Sequence, residues 1–148
     1  GLEVDLAGAL SDHLDLIASY GFTDTRIMED PDYQGKRLPN VARHTGSLFL
    51  AYDFENAVPG ASKFRAGGGI RAVGKRPGDN NNSYDLPGYA TADLFAAYTV
   101  DAARPVTFQL NLKNIFDKVY YTSSIGSNTL SNQIGEPFNA VLSMKVDF

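Results

Sequence analysis

The chain has no cysteine, and charged residues make up only 20% of its 148 positions, with a net charge of −4. The absence of cysteine excludes disulfides and cysteine-based metal sites. The slightly acidic balance leaves no basic patch of the kind that binds nucleic acid, so no nucleic-acid partner is expected. No run of about 18 apolar residues is present, which excludes a transmembrane helix.

What the chain has instead is an alternation of apolar and polar residues. In the final segment every second position is apolar, and Asn, Ser, Lys and Asp lie between. A period of two indicates a β-strand with one apolar and one polar face. An all-β fold with about seven meandering, antiparallel strands is therefore predicted at Leu2–Leu10, Leu14–Phe22, His44–Phe54, Phe64–Gly74, Ala90–Val100, Val106–Leu112 and Phe138–Phe148.

The charged residues are separated from the apolar ones between these two faces. No Asp, Glu, Lys or Arg lies on the apolar face of the seven segments. A charge on a lipid-facing position costs about 2–4 kcal/mol at the bilayer midplane, which would explain this separation. All seven prolines also lie outside the predicted strands. Inside a strand, each proline would remove a ladder hydrogen bond. A half-buried sheet of a soluble protein would show a similar separation.

The connections alternate in length. Short ones join Leu10 to Leu14, Phe54 to Phe64 and Val100 to Val106, and long ones span about 23–43, 75–89 and 113–137. Short periplasmic turns and long extracellular loops are typical of bacterial outer-membrane barrels. Five aromatic residues then fall at the periplasmic level and are predicted to form a membrane-interface girdle. They are Tyr52, Phe54, Phe64, Tyr98 and Phe148.

Pro87–Tyr98 contains the pattern P-G-Y…D…Y, Phe108–Tyr121 ends in N-I-F-D-K-V-Y-Y, and Val141–Phe148 alternates up to a terminal aromatic residue. These segments resemble the PGY…D…Y strand, the N-(L/I)-F-D-K-x-Y-Y segment and the closing strand of the TonB-dependent outer-membrane receptors. Arg43–Leu48, and Gly67–Gly74 followed by Gly78–Asn80, resemble the ferric-siderophore branch in particular. The resemblance covers essentially the whole chain.

The resemblance implies that residues 1–148 are the C-terminal portion, the last third, of a roughly 22-stranded transmembrane β-barrel. The expected location is the Gram-negative outer membrane, and the expected function is TonB-dependent uptake of a ferric siderophore, which is transported cargo. The expected partners are that siderophore, the lipid bilayer, the outer-membrane insertion machinery, the protein's own plug domain and the TonB complex. The plug, the TonB-contacting region and the upstream strands are expected to lie outside this chain. Neither a cofactor nor enzymatic activity is expected.

Six residues are candidate ligand contacts at the extracellular mouth. Arg71 and Arg76 would attract an anionic ferric complex, and the loop aromatics Tyr33, Tyr84, Tyr120 and Tyr121 could pack against a chelate. No catalytic residue or metal site is predicted, because His13 and His44 lack the spacing to other ligands that metal sites show. The glycines at 67 and 69 match a loose dinucleotide pattern, but they lie inside a predicted strand, which argues against a nucleotide loop.

Two other readings are compatible with the alternation. One is a different outer-membrane barrel, such as an autotransporter translocator or a small, roughly eight-stranded barrel. That class should lack the segment Asn114–Tyr121. The other is a soluble β-barrel lipid carrier, which would turn its apolar face inward. Alternation by itself leaves inside and outside undetermined.

Overall fold

The computed structural model describes residues 1–54, 63–101, 103–125 and 132–147. These ranges contain strands and no helix, so no helix in them is long and apolar enough to cross a membrane. The strands are β1 (Leu2–Ala9), β2 (Leu14–Phe22), β3 (His44–Phe54), β4 (Lys63–Val73), β5 (Arg76–Pro77), β6 (Asp85–Leu86), β7 (Tyr89–Val100), β8 (Val106–Lys113), β9 (Tyr121–Ser124), β10 (Asn132–Ile134) and β11 (Asn139–Val146).

Seven of these strands form one antiparallel sheet in the order β1-β2-β3-β4-β7-β8-β11. They are the seven predicted strands; β2 and β3 match the predicted bounds, and the ends of the others differ from the prediction by at most two residues. The all-β, meandering architecture is therefore confirmed. The two hairpins β5–β6 and β9–β10 lie in the long connections. They were not predicted, because strands of two to four residues are too short to show an alternation.

The register keeps the predicted faces intact across the sheet. Even-numbered residues pair with even-numbered residues, as in Leu16 with Leu50, Leu48 with Ile70, and Ala96 with Leu110. The face they form is apolar and open: Leu6 is 58% exposed and Leu142 71% exposed. A continuous apolar face of this size is what the lipid side of a barrel wall requires.

The odd-numbered face carries most of the polar side chains; in the predicted barrel it would face the lumen, and it is called the lumen face. Near its short-turn end, the Arg65 guanidinium donates to Asp15 at 2.5 Å and to Asp53 at 2.9 Å. This ion triad links β2, β3 and β4. Higher on the same face, the hydroxyls of Ser19 and Ser47 are 2.8 Å apart. The side chains of the triad are partly exposed, so its attraction is screened by solvent and modest.

The glycines of β4 make room for aromatic rings. The rings of Phe49 and Phe95 stack at a centroid distance of 5.6 Å on the lumen face. A Cβ at Gly67 would lie 2.6 Å from a Phe95 ring carbon, and one at Gly69 would lie 2.6 Å from a Phe49 ring carbon. The two glycines thus let the neighbouring rings lie flat across β4, which explains the motif without a nucleotide.

Candidate functional site

Three long connections meet at one end of the sheet. They are named loop A (23–43), loop B (74–88) and loop C (114–138, described to residue 125 and from residue 132). Loops A and B are joined by a reciprocal pair of hydrogen bonds. The Arg37 amide donates to Asn82 Oδ1 at 2.8 Å, and Asn82 Nδ2 donates to the Arg37 carbonyl at 2.9 Å. The Asn82 side chain therefore makes the pair of hydrogen bonds with Arg37 that the backbone of a neighbouring strand would otherwise make.

Asn40 makes the same kind of tie between loops A and C. Its Nδ2 donates to the Ser124 carbonyl at 2.9 Å, and its Oδ1 accepts from the Ser124 amide at 2.7 Å. The Asn40 amide also donates to the Pro77 carbonyl of loop B at 2.8 Å. Its φ of 63° is a left-handed conformation that Asn tolerates better than most residues. One residue thus holds all three loops together.

Loops A, B and C together are called the loop cluster. Within it, the buried side chain of Arg76 holds loop B against loop C. The residue is 2% exposed, and its Nη2 donates to the carbonyls of Tyr121 at 2.5 Å and Thr122 at 2.9 Å. Its guanidinium carbon lies 5.6 Å from the centre of the Tyr89 ring. Burial lowers the pKa of Arg76 below its ordinary value, because the charged form loses solvation. Among the described residues its Nη1 has no hydrogen-bond partner.

Two of the candidate tyrosines are packed within the loops. The Tyr84 ring covers Gly78, and its hydroxyl lies 2.5 Å from Ser124 Oγ. The Tyr120 ring covers Gly135 and lies 4.3 Å from the Tyr89 ring. Burial, the largest cause, raises the pKa of the Tyr120 hydroxyl. A glycine beneath each ring permits this close contact.

Two recesses open between these elements. The upper one, of about 270 Å³, is bounded by all three loops and lined in part by Tyr33, Asp79 and Ser124. The lower one, of about 180 Å³, lies where the lumen face meets the loops. Its lining includes two cations and two anions together with the paired tyrosines, namely Arg71, Lys113, Asp93, Glu136, Tyr89 and Tyr120.

The six candidate ligand residues therefore occupy different environments. Tyr33 lines the upper recess, and Arg71 and Tyr120 line the lower one. Arg76, Tyr84 and Tyr121 take part in contacts between or within the loops. Contact of any of the six with a ligand stays a prediction. Sequence reasoning missed Asn40, Asn82 and Tyr89, since an isolated polar or aromatic loop residue gives no signal of its distant partner.

The segment with the most specific resemblance forms a tight turn after β8. Asn114, 3% exposed, lies at its centre with φ 48°. Its amide donates to Asp93 Oδ1 at 2.8 Å, and its Nδ2 donates to the carbonyls of Lys118 at 2.9 Å and Glu136 at 3.0 Å. Asp117 Oδ1 accepts from the Phe138 amide at 2.9 Å. These contacts anchor loop C at both of its ends.

Aromatic residues mark both ends of the apolar face. At the short-turn end, Phe54 pairs with Phe64 and Phe64 pairs with Tyr98, and the Tyr52 and Phe54 rings are 4.7 Å apart. Phe148 lies outside the described residues. At the loop end, a second group was not predicted: Tyr20, Phe22 and His44, in which the Tyr20 hydroxyl lies 2.8 Å from His44 Nδ1.

The spacing of the two aromatic groups fits a membrane. They are separated by the length of β3, from His44 to Phe54. A rise of about 3.3 Å per residue at a tilt of about 40° gives a band about 25 Å tall. That height equals the apolar band of outer-membrane barrels. Contact of these particular rings with the membrane interface stays a prediction.

Comparison with known proteins decides the family. A family model described as TonB dependent receptor-like, beta-barrel matches residues 1–115. The chain belongs to this family. It is 36% identical over its full length to the metal-pseudopaline receptor CntO of Pseudomonas aeruginosa, covering 20% of that protein. It is 33% identical to the ferric-pyoverdine M114 receptor PbuA of Pseudomonas sp. strain M114, covering 100% of this chain and 18% of that protein.

Solved structures of siderophore receptors contain the same fold as this chain. The siderophore receptor PiuA of Acinetobacter baumannii superimposes with a TM-score of 0.81 and 27% identity, over 96% of this chain and 20% of PiuA. The ferric preacinetobactin receptor BauA of the same species gives a TM-score of 0.85 at 23% identity, over 97% of this chain and 21% of BauA, and shows the fold. The chain thus spans about a fifth of the length of the curated relatives named above.

Membership of the TonB-dependent receptor family settles the earlier alternatives. The seven-stranded sheet is a segment of an outer-membrane β-barrel wall of a Gram-negative bacterium. The autotransporter, the small barrel and the soluble lipid carrier are set aside, because the family match runs through six of the seven sheet strands. The family consists of receptors and transporters and not of enzymes.

Proposed function

We propose that the protein containing this chain imports a ferric siderophore across the outer membrane, with energy supplied through TonB. Residues 1–148 would form the C-terminal portion of its barrel, the last third of roughly 22 strands. The observation that carries the proposal is the loop cluster, which is tied together over the lumen side of a wall that belongs to this receptor family. Siderophore receptors among its relatives support the choice of cargo.

The lower recess is the proposed contact surface for the cargo. Arg71 and Lys113 attract anionic groups of a ferric complex, and Asp93 and Glu136 balance them, so the recess suits cargo of low net charge. Tyr120 offers an aromatic contact there, and Tyr33 does so in the upper recess. Arg76, Tyr84 and Tyr121 act by fixing the shape of the loops.

The remaining partners are proposed with the function. A plug domain would fill the lumen, an N-terminal region would contact the TonB complex, and insertion machinery would place the wall in the bilayer. The metal complex is cargo, and neither a resident cofactor nor a catalytic step is proposed.

A second cargo has its own support. The 36% identity to the metal-pseudopaline receptor over the full chain favours a metal–pseudopaline complex as the alternative to a ferric siderophore such as pyoverdine. Both cargoes would use the same mouth.

The test is uptake by cells that express the full gene, in strains with and without TonB. The panel holds ferric pyoverdine, ferrioxamine B, ferrichrome and metal-loaded pseudopaline. Uptake of at least one complex, abolished without TonB, is expected. Absence of uptake for every complex, or uptake that persists without TonB, would contradict the proposal.

A substitution connects that uptake to the lower recess. Arg71→Gln removes a cation that lines it, so the half-saturating cargo concentration should rise about three- to tenfold because attraction is lost. Lys75→Gln is the matched control, since Lys75 is exposed and pairs with Asp85. Equal effects of the two variants would place the cargo elsewhere.

A further inference from the structure

Tyr89 lines the lower recess and also contacts the loop cluster. It is the first residue of β7, where it pairs with Val73 of β4, and its half-buried side chain lines the recess. Its ring lies 4.3 Å from the Tyr120 ring of loop C, centre to centre. The guanidinium carbon of Arg76 in loop B lies over the same ring, 5.6 Å from its centre. One side chain therefore joins the loop end of the sheet to two loops.

The position of Arg76 depends on this ring. Its side chain is buried, and in the part of the chain that the structure describes it pairs with no carboxylate. Its charge is compensated by the carbonyls of Tyr121 and Thr122 and by the Tyr89 ring. The attraction between a cation and the face of an aromatic ring strengthens when water is excluded. An aliphatic side chain at position 89 would therefore leave the buried charge less well compensated, and the guanidinium should move towards solvent.

A movement of Arg76 would reach all three loops. Its Nη2 holds two carbonyls of loop C. The next residue, Pro77, accepts a hydrogen bond from the Asn40 amide of loop A at 2.8 Å. Asn40 in turn holds Ser124 of loop C through two hydrogen bonds. Arg76 therefore lies where the contacts of loops A, B and C converge.

The geometry of the lower recess depends in turn on loop C. Tyr120 and Glu136, which both belong to this loop, line the recess. The Gly135 amide donates to the Tyr120 carbonyl at 2.8 Å, so the two described segments of loop C are joined beside the recess. If loop C is released, both lining groups shift and the recess loses its shape.

A close backbone contact keeps Tyr89 beside loop B. A Cβ at Gly88 would lie 3.0 Å from the Val73 carbonyl oxygen, so a larger residue there would push the start of β7 away from the end of β4. The tyrosine of the P-G-Y pattern and the first tyrosine of the Y-Y pattern thus meet as the rings of Tyr89 and Tyr120. Both patterns contribute to one contact between the wall and the loops.

We infer that Tyr89 is a positioning residue that links the lower recess to the loop cluster. Its ring holds Arg76, and Arg76 holds loop C, so the contents of the recess and the order of the loops each affect the other. Coupling of this kind is reciprocal: binding in the recess alters the loops by the same factor as a change in the loops alters binding. The cargo in the recess rests on the proposed function, whereas the contacts of Tyr89 do not depend on it.

Hydrogen exchange on the full-length receptor in detergent, without cargo, tests the link from Tyr89 to the loops. Tyr89→Leu should let the Ser124 amide exchange about tenfold faster, because loop C is released. Tyr89→Phe keeps the ring and should show the wild-type rate. Amides in β4 report that each variant is folded, and Tyr89→Met, with the same expected result, replaces a Tyr89→Leu receptor that does not fold. An unchanged rate without the ring, or the same acceleration in Tyr89→Phe, overturns the inference.

A double-mutant cycle on uptake tests the link from the loops to the recess. The probe is ferric pyoverdine, or another complex of the uptake panel if the wild-type receptor imports that one instead. Asn40→Ala removes contacts between the loops and should raise the half-saturating concentration about three- to tenfold. In the Tyr89→Leu background it should add nothing, because the loops are already released.

Equal effects of Asn40→Ala in both backgrounds contradict the link through Tyr89. A failure of the proposed function looks different, since no complex of the panel is then imported by the wild-type receptor. In that case the exchange rates of the Ser124 amide, which need no cargo, decide on the role of Tyr89.

Discussion

The strands and the loop cluster of this receptor segment are held together in different ways. The strands are joined by continuous backbone ladders, and their side chains divide between lipid and lumen by parity alone. The loops are joined by side-chain amides, a buried guanidinium and tyrosines packed on glycines. The first kind of structure tolerates many sequences that keep the alternation. The second depends on single residues.

The largest effect is expected at Gly67, a strand position that, unlike most of the sheet, depends on a single residue. Gly67→Val places a side chain against the Leu50 carbonyl and within 2.6 Å of a Phe95 ring carbon, so β3 and β4 must separate. The free energy of unfolding should fall by about 3 kcal/mol or more. The measurement is the folded, heat-modifiable band of the full receptor on a gel. Ala66→Val, one residue away on the lipid face, is the control and should keep that band.

The next effect concerns the turn after β8. Asn114→Ala removes three side-chain hydrogen bonds and leaves alanine at φ 48°. The free energy of unfolding should fall by about 2–4 kcal/mol, because the carbonyls of Lys118 and Glu136 lose their donor and the backbone is strained. Urea unfolding of the full receptor in detergent measures it. Asn80→Ala, at an exposed loop position, should change stability little, and a similar loss in both variants would contradict the special role of Asn114.

A smaller and more local effect is expected from Asn40→Ala. The tie to Ser124 is lost, so the Ser124 amide should exchange with deuterium about tenfold faster. Amides in β3 and β4 should keep their rates, because their ladder is untouched. Asn81→Ala, at an exposed position, serves as the control variant. Faster exchange throughout the sheet would show that loops and strands are one cooperative unit.

The smallest effect is a response of loop A to acid. Arg43 donates to Asp24 at 3.0 Å and holds the pKa of that carboxyl below its ordinary 3.8. Because the folded pKa lies below the unfolded one, the contact stabilises loop A above about pH 3.8, and this stabilisation is lost as the pH falls through the depressed pKa.

A spin label at the exposed position 28 of loop A measures this response. Its mobility should rise below about pH 3.8 in the otherwise unchanged receptor, whereas Asp24→Asn should show the mobile spectrum at every pH. A label at Asn80 in loop B is the control. Identical acid responses with and without Asp24 would assign the effect to another group.

The contrast between strands and loops explains which features could be predicted from the sequence. Alternation is a property of each segment, so Leu14–Phe22 and His44–Phe54 are readable without knowing their neighbours. The loop ties join residues 45 and 84 positions apart, and nothing in the local sequence of Asn40 or Asn82 specifies those partners. Arg76 shows the consequence. Its charge is evident from the sequence, but nothing in the local sequence indicates its burial among loop carbonyls.

The glycines teach a related lesson. Gly67 and Gly69 form a motif that is visible within a strand of the sequence, but the aromatic rings that require them lie on β3 and β7. Only the register shows that two rings from neighbouring strands meet over β4.

Whether the three loops form one body over the barrel mouth is tested most directly by hydrogen exchange on the full-length receptor in detergent. The informative amides are those of Arg37, Asn40 and Ser124, which donate to Asn82, Pro77 and Asn40 respectively. If the loops are tied as described, the three amides exchange slowly and at a common rate, at least about tenfold below unprotected loop amides. Rapid exchange of these amides, or three unrelated rates, would contradict a single loop body.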